Sequence, residues 1–243
     1  MTVLTAERTA CAVRLEEVSR TYGKVRALDG VSWAFPRGGF TAVMGPSGSG
    51  KSTFLQCASG LDRPTRGTVR IGDVDLGGLS ETKRTRLRRD RVGFVFQAFN
   101  LIPSMDVEQN ITLPLRLAGR KTDREWLAEV VGRVGLGDRL RHRPAELSGG
   151  QQQRAAIARA LITRPEVVFA DEPTGALDPR TAREVLRLLR ETVDRTGQTL
   201  LLVTHDPVAA SWADSVVFLS AGRIVDELVS PSPAAVSARW ESL

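Results

Sequence analysis

Apolar positions along the chain fall into short runs of strand length. Phe40-Thr41-Ala42-Val43-Met44, residues 92–97, Val167-Val168-Phe169-Ala170 and residues 199–204 each read as a buried strand. Helical stretches begin near Lys51, near 151–163 and at 179–195, and this alternation predicts a mostly parallel, doubly wound sheet. Residues 13–18 and 25–35 alternate instead and carry hairpin signals, so they predict antiparallel strands, with Val69-Arg70-Ile71-Gly72 as another short one. Between Asp106 and Pro144 the strand pattern gives way to helical periodicity, which puts Trp126, Leu127, Val130, Val131 and Val134 on one face. Trp126 in that row reads as core rather than as a ligand platform. From Ser230 onward the pattern predicts a weakly ordered end or a single docked helix.

Composition sharpens this. At 243 residues and 42% hydrophobic, the chain can bury the core of one large domain, or of a domain with a subdomain. The longest apolar runs, such as Leu200-Leu201-Leu202-Val203, are strand-sized, and residues 1–8 have no apolar stretch of signal-peptide length. A chain soluble by itself is expected. Cys11 and Cys57 lack metal or disulfide spacing, which implies a reducing setting, with Cys57 a small buried apolar residue on a helix. The net charge of +6 raises nucleic acid or an anionic membrane surface as partners. The densest run, Lys83-Arg84-Thr85-Arg86-Leu87-Arg88-Arg89-Asp90-Arg91, has no interleaved aromatics, so it reads as a solvated helix face with no specific nucleic-acid partner.

Three segments carry candidate chemistry. Gly45-Pro46-Ser47-Gly48-Ser49-Gly50-Lys51-Ser52-Thr53 follows the first apolar run and opens a helix, the pattern of a backbone cradle for phosphates. Glycine permits turns closed to other residues, Lys51 reaches the β- and γ-phosphates, and the Ser52 hydroxyl offers a position to Mg²⁺. The run 167–170 ends in Asp171 and Glu172. Beside a phosphate loop, the first carboxylate is placed to hold Mg²⁺ through water and the second to orient or deprotonate an attacking water; without the loop the pair would read as solvated. Third, Leu147-Ser148-Gly149-Gly150-Gln151-Gln152-Gln153-Arg154 combines a helix-capping serine with two glycines that leave N–H groups bare at a helix's positive end. That is a second anion site.

With Leu-Ser-Gly-Gly-Gln intact at residues 147–151, the sequence resembles the ATP-binding cassette (ABC) ATPases. The resemblance implies an α/β fold: a P-loop NTPase core with a mostly parallel sheet, an N-terminal antiparallel β subdomain and an inserted α-helical subdomain. The single domain 1–243 would divide into a nucleotide-binding core at 1–103 and 160–230, a helical subdomain at 104–159 carrying the signature, and a tail at 231–243. The resemblance also implies head-to-tail pairing, in which Ser148, Gly149, Gly150 and Gln151 of one protomer close on the ATP held by the other. Tyr22 stands where the family stacks an aromatic on adenine. Gln97 matches the glutamine that touches Mg²⁺ and couples to the helical subdomain, Asp178 the loop between protomers, and His205 the histidine that contacts the γ-phosphate and orients Glu172. His142 matches no motif. ATP and Mg²⁺ are the implied cofactors.

The stretches 94–111 and 170–178 look most like the lipoprotein-release and macrolide-export group. That implies an ATP-dependent homodimer, peripheral on the cytoplasmic face of the membrane and driving integral permease subunits. A cell-wall-remodelling or mechanotransmission complex and an importer ATPase are the alternatives. A DNA- or ribosome-acting ABC protein is disfavoured, because the residues between Thr53 and Leu147 leave no room for a long coiled-coil insertion.

Overall fold

The structure is a computed structural model that describes residues 11–242, so residues 1–8, read above for a signal peptide, lie outside the described residues. Its larger sheet has six strands. Phe40–Met44 (β3), Val92–Phe96 (β6), Val167–Asp171 (β7) and Thr199–Val203 (β8) are parallel neighbours in the order β3-β8-β7-β6. The near-continuous apolar runs are explained by cover on both faces: Phe40, Ala42, Met44, Leu200 and Leu202 point into one core cluster, while Val43, Leu201 and Val203 point into the other.

Ser215–Ser220 (β9) and Arg223–Val229 (β10) extend the sheet beyond β3, β9 parallel to it and β10 antiparallel at the edge. The sequence reading assigned neither. β10 carries Arg223, Asp226 and Glu227 among its apolar residues and leaves Val229 73% exposed, as an edge strand with one covered face tolerates.

Cys11–Tyr22 (β1) and Val25–Pro36 (β2) form the expected hairpin, joined by Arg66–Ile71 (β4) and Val74–Asp75 (β5) in a second, antiparallel sheet ordered β2-β1-β4-β5. Between the sheets runs Lys51–Ala58 (α1), whose Phe54, Leu55 and Cys57 are buried; burial pushes the Cys57 thiol up to about 12. The helical stretch contains Val107–Leu117 (α3), opened by a reciprocal Asp106/Gln109 cap, Arg124–Val134 (α4) and Gly149–Leu161 (α5). The predicted stripe on α4 holds, with Leu127, Val130, Val131 and Val134 buried and Trp126 packed at its margin. Pro179–Thr196 (α6) and the short Pro207–Ala210 (α7) complete that face. Of the two expectations for the end of the chain, the docked helix is found: in Pro233–Glu241 (α8) Val236 is fully buried, and Arg239 bonds Asp226 at 2.5 Å.

The basic run corrects the reading from sequence. It forms Glu81–Arg91 (α2), capped by Ser80, and only part of it is a solvated face: Lys83 and Arg86 are exposed, while Arg84, Arg88 and Arg91 are tied to other segments. The Arg84 side chain is 3% exposed and donates to the carbonyls of Gly60 (2.9 Å) and Asp62 (3.1 Å). Arg88 donates to Gly60 O at 2.7 Å, and Arg91 bridges Asp73 (2.7 Å) and Glu166 (3.0 Å). The charges tie the turn after α1 to α2. Arg84→Met leaves the Asp62 carbonyl without its donor and the Gly60 carbonyl with Arg88 alone, and is expected to cost ~1–3 kcal/mol of unfolding free energy, whereas Arg86→Gln, at an exposed position, changes stability by less than ~0.5 kcal/mol. Urea denaturation of both variants measures the difference.

Candidate active site

The carboxyl ends of four adjacent parallel strands meet at one sheet edge. Val43 is in register with Val203, Asp171 with Val203, and Phe96 with Asp171. The segments leaving these strands are the phosphate loop after β3, Gln97 after β6, Asp171-Glu172 at the end of β7 and Thr204-His205 after β8. Residues scattered over the sequence thus fall at the edge where open α/β sheets place their ligands.

In the phosphate loop, Gly50 has φ +104°, and the carbonyl of Ala27 closes the space a side chain would need. Gly45 excludes a side chain by contact rather than by a left-handed φ: the carbonyl of Leu219, near the end of β9, leaves no room for a Cβ. Lys51 opens α1 and donates to Gly45 O (2.5 Å) and Pro46 O (3.0 Å) across the mouth of the loop. Burial holds its ammonium below the usual lysine range, partly offset by the charges of Glu172 and Asp171. Burial also raises the Asp171 carboxyl, reinforced by Glu172 and opposed by Lys51. Lysine and both acids therefore share one electrostatic environment.

Glu172 is held from several sides. Its backbone is left-handed at φ +46°, fixed by its N–H donating to Val203 O at 2.9 Å. Thr204 donates its hydroxyl to Oε2 at 3.1 Å, and His205 Nδ1 lies 2.8 Å from Oε1. The sequence reading had His205 but missed Thr204, whose signal was a hydroxyl at a buried strand end next to that histidine. It also missed Gln153, a fully buried residue of α5 that donates to Pro173 O (2.6 Å), next to Glu172, and to Phe96 O (3.3 Å), next to Gln97.

For Mg²⁺ the candidate donors are the Ser52 hydroxyl, the Gln97 amide oxygen and the Asp171 carboxylate, all hard oxygens. That chemistry fits a small cation that keeps water and phosphate oxygens as its other ligands. The raised Asp171 and its proximity to Glu172 mark a carboxylate pair that a cation would relieve. Gln97 lies against Gly175, on the turn following Glu172.

The second anion site has separate neighbours. Ser148 caps α5 by accepting from Gln151 N (3.3 Å), while Gln151 Oε1 accepts from Ser148 N (2.9 Å). The serine hydroxyl proton and the first-turn N–H groups of Gly149 and Gly150 remain for an anion. These glycines abut Phe99, Leu177 and Thr181, whereas Gly45 and Gly50 abut Leu219, Ala27 and Leu28. Asp178 spends its carboxylate capping α6, accepting from Arg180 N and Thr181 N at 3.1 Å each. Tyr22 stands apart from the strand ends, at the tip of the β1–β2 hairpin.

A groove of about 320 Å³ opens beside the site between β6 and α3, with Phe94, Phe96 and Pro114 in its lining and Arg88 and Arg89 also facing it. Its wall includes Asn100, left-handed like Phe99 (φ +52° and +55°). Arg159 from α5 donates to both carbonyls, at 2.5 and 2.8 Å, and so ties the segment after Gln97 to the helix that Ser148 begins. No helix among the described residues is long and apolar enough to cross a membrane.

The family described as ABC transporter matches residues 28–175. The lipoprotein-releasing system ATP-binding protein LolD 1 of Rhodospirillum rubrum is 45% identical over 220 residues, 88% of this chain and 97% of that protein. The macrolide export ATP-binding/permease protein MacB of Marinobacter nauticus is 43% identical over 92% of this chain, which spans only 35% of its length. The methionine import ATP-binding protein MetN of Rhizobium johnstonii is 46% identical over 88% of this chain and 60% of its own. Among solved structures, a dimeric ATP-binding cassette in a post-hydrolysis state bound to ADP and Pi is similar with a TM-score of 0.81 and 39% identity, covering 90% of this chain and 99% of that one.

Proposed function

This chain belongs to the ABC transporter ATPases, and on that premise we propose that it binds ATP with Mg²⁺ and hydrolyses it to drive integral membrane subunits, working as a head-to-tail homodimer. The observation that carries the reading is the convergence of the phosphate loop with a carboxylate braced by Thr204 and His205 at one sheet edge. Residues 45–53 hold the triphosphate, and Lys51 answers its charge. Ser52, Gln97 and Asp171 hold Mg²⁺, which when bound neutralises phosphate charge. Glu172 orients the attacking water and accepts its proton; its second oxygen is fixed by Thr204, and His205 reaches the γ-phosphate. Ser148, Gly149 and Gly150 supply the remaining donors from the other protomer. Their separate neighbours within one chain support an action in trans.

The groove lined by Phe94, Phe96 and Pro114 is the proposed seat of a permease segment, because its wall continues into Gln97 and is tied through Arg159 to α5. Through such a subunit the chain works on the cytoplasmic face of the membrane. Export or extrusion is the preferred direction, supported by the 97% coverage of the lipoprotein-releasing relative; the methionine-import relative keeps import as the alternative. Co-expression with candidate permeases is expected to move the chain into the membrane fraction. Phe96→Glu, which removes the ring from the groove wall and places a carboxylate beside Arg88 and Arg89, is expected to release it with isolated ATPase activity retained. A chain that stays out of the membrane with every candidate sinks the transporter reading.

A further inference from the structure

Tyr22 ends β1, and its register partner Val25 stands two residues before Ala27, whose carbonyl abuts Gly50 of the phosphate loop. The residue is 42% exposed, yet its ring is not free. Arg20, two positions back and on the same face of the strand, puts its guanidinium carbon 4.4 Å from the ring centroid. Asp62, in the segment after α1, receives Arg20 Nη2 on Oδ1 at 3.0 Å, and Arg20 Nε lies 2.8 Å from Oδ2. The same Oδ2 accepts the Tyr22 hydroxyl at 2.6 Å. Asp62 is itself fixed, its N–H donating to Gln56 O at 3.0 Å and its carbonyl accepting from Arg84 at 3.1 Å. A buried arginine of α2 thus anchors an aspartate that orients both an arginine and a tyrosine at the hairpin tip.

We infer that Arg20 and Asp62 are positioning residues for the nucleotide base, locking the Tyr22 ring with one face closed by guanidinium and the other open as a preset stacking platform for the purine. The inference rests on the reading of Tyr22 as the adenine platform. Two consequences follow from the geometry. The hydroxyl is engaged by Asp62, so the ring holds the base by its face and not by a hydrogen bond to the base edge. A tyrosine already fixed loses little rotamer freedom when the base arrives, so the lock acts on affinity and not on the chemical step.

Calorimetric titration with ATP, ADP and inorganic tripolyphosphate tests this, since tripolyphosphate has no base. Arg20→Met keeps the apolar stem and removes the cation. It is expected to weaken ATP and ADP about three- to tenfold and to leave tripolyphosphate within about twofold, the scale of one lost cation–π contact and one freed side chain. Hydrolysis should show a raised KM for ATP with kcat at saturation retained. Tyr22→Phe keeps the Arg20–Asp62 pair and removes only the tie to the hydroxyl. It is expected to weaken ADP by about two- to threefold, and it serves if Arg20→Met does not fold. Equal weakening of tripolyphosphate, or unchanged ADP affinity in both variants, overturns the inference. Tyr22→Ala separates this failure from that of the reading beneath it. If Tyr22→Ala weakens ADP while Arg20→Met does not, only the lock fails; if Tyr22→Ala also leaves ADP unchanged, the base platform itself fails and the lock with it.

Discussion

Glu172→Gln is expected to slow ATP hydrolysis by at least ~10²-fold while leaving ATP bound. The amide preserves the shape that Thr204 and His205 grip, and it removes the oxygen able to take a proton from water. Both anion cradles remain, so closure around ATP proceeds and the step that would reopen the dimer is lost. Sedimentation of the isolated variant should give a dimer with ATP and a monomer with ADP, and two nucleotides per dimer follow from a twofold arrangement with equivalent sites. Adding Ser148→Arg fills the second cradle with a long side chain where a phosphate oxygen would enter, and the dimer should disappear. A Glu172→Gln protein that stays monomeric with ATP demonstrably bound would sink the two-protomer site in isolation.

Lys51→Met is expected to weaken ATP binding by about 10- to 150-fold, the range for losing a charge-assisted hydrogen bond worth roughly 1.5–3 kcal/mol. The loss should be larger for ATP than for AMP, because Lys51 answers the distal phosphates. Titration of the wild-type chain across alkaline pH provides a second measure. Burial lowers the Lys51 ammonium from the usual lysine range, so the free protein loses that proton at lower pH than an exposed lysine would. ATP binds the protonated form and restores the proton. Affinity should therefore fall as pH rises through the lowered value, with net proton uptake on binding in that window. The Lys51→Met protein should show neither the fall nor the uptake. A pH-independent ATP affinity in the wild type between pH 8 and the ordinary lysine value of 10.5 would remove Lys51 from the role assigned to it.

The sequence by itself determined the parallel strands and the segments that leave them. A fully buried parallel strand needs an unbroken apolar run, and β3, β7 and β8 declare themselves by having one. Phosphate loops and helix caps are equally local, because glycine conformation, a capping hydroxyl and a helix start all fall within a few residues; residues 45–53 and 148–151 were legible for that reason. Tertiary structure decided what depends on partners far along the chain. Arg84, Arg88 and Arg91 looked solvated because the carbonyls and carboxylates they meet, at Gly60, Asp62, Asp73 and Glu166, belong to other segments. β10 escaped notice because an edge strand with one covered face need not be apolar. Thr204, Gln153 and Arg159 carry no motif of their own; they matter through the oxygens they grip at Glu172, Pro173, Phe99 and Asn100, and only the register of β6, β7 and β8 beneath α5 brings those atoms within reach. A hydrogen bond acts over about 3 Å, so a polar side chain's role is set by what the fold places inside that distance.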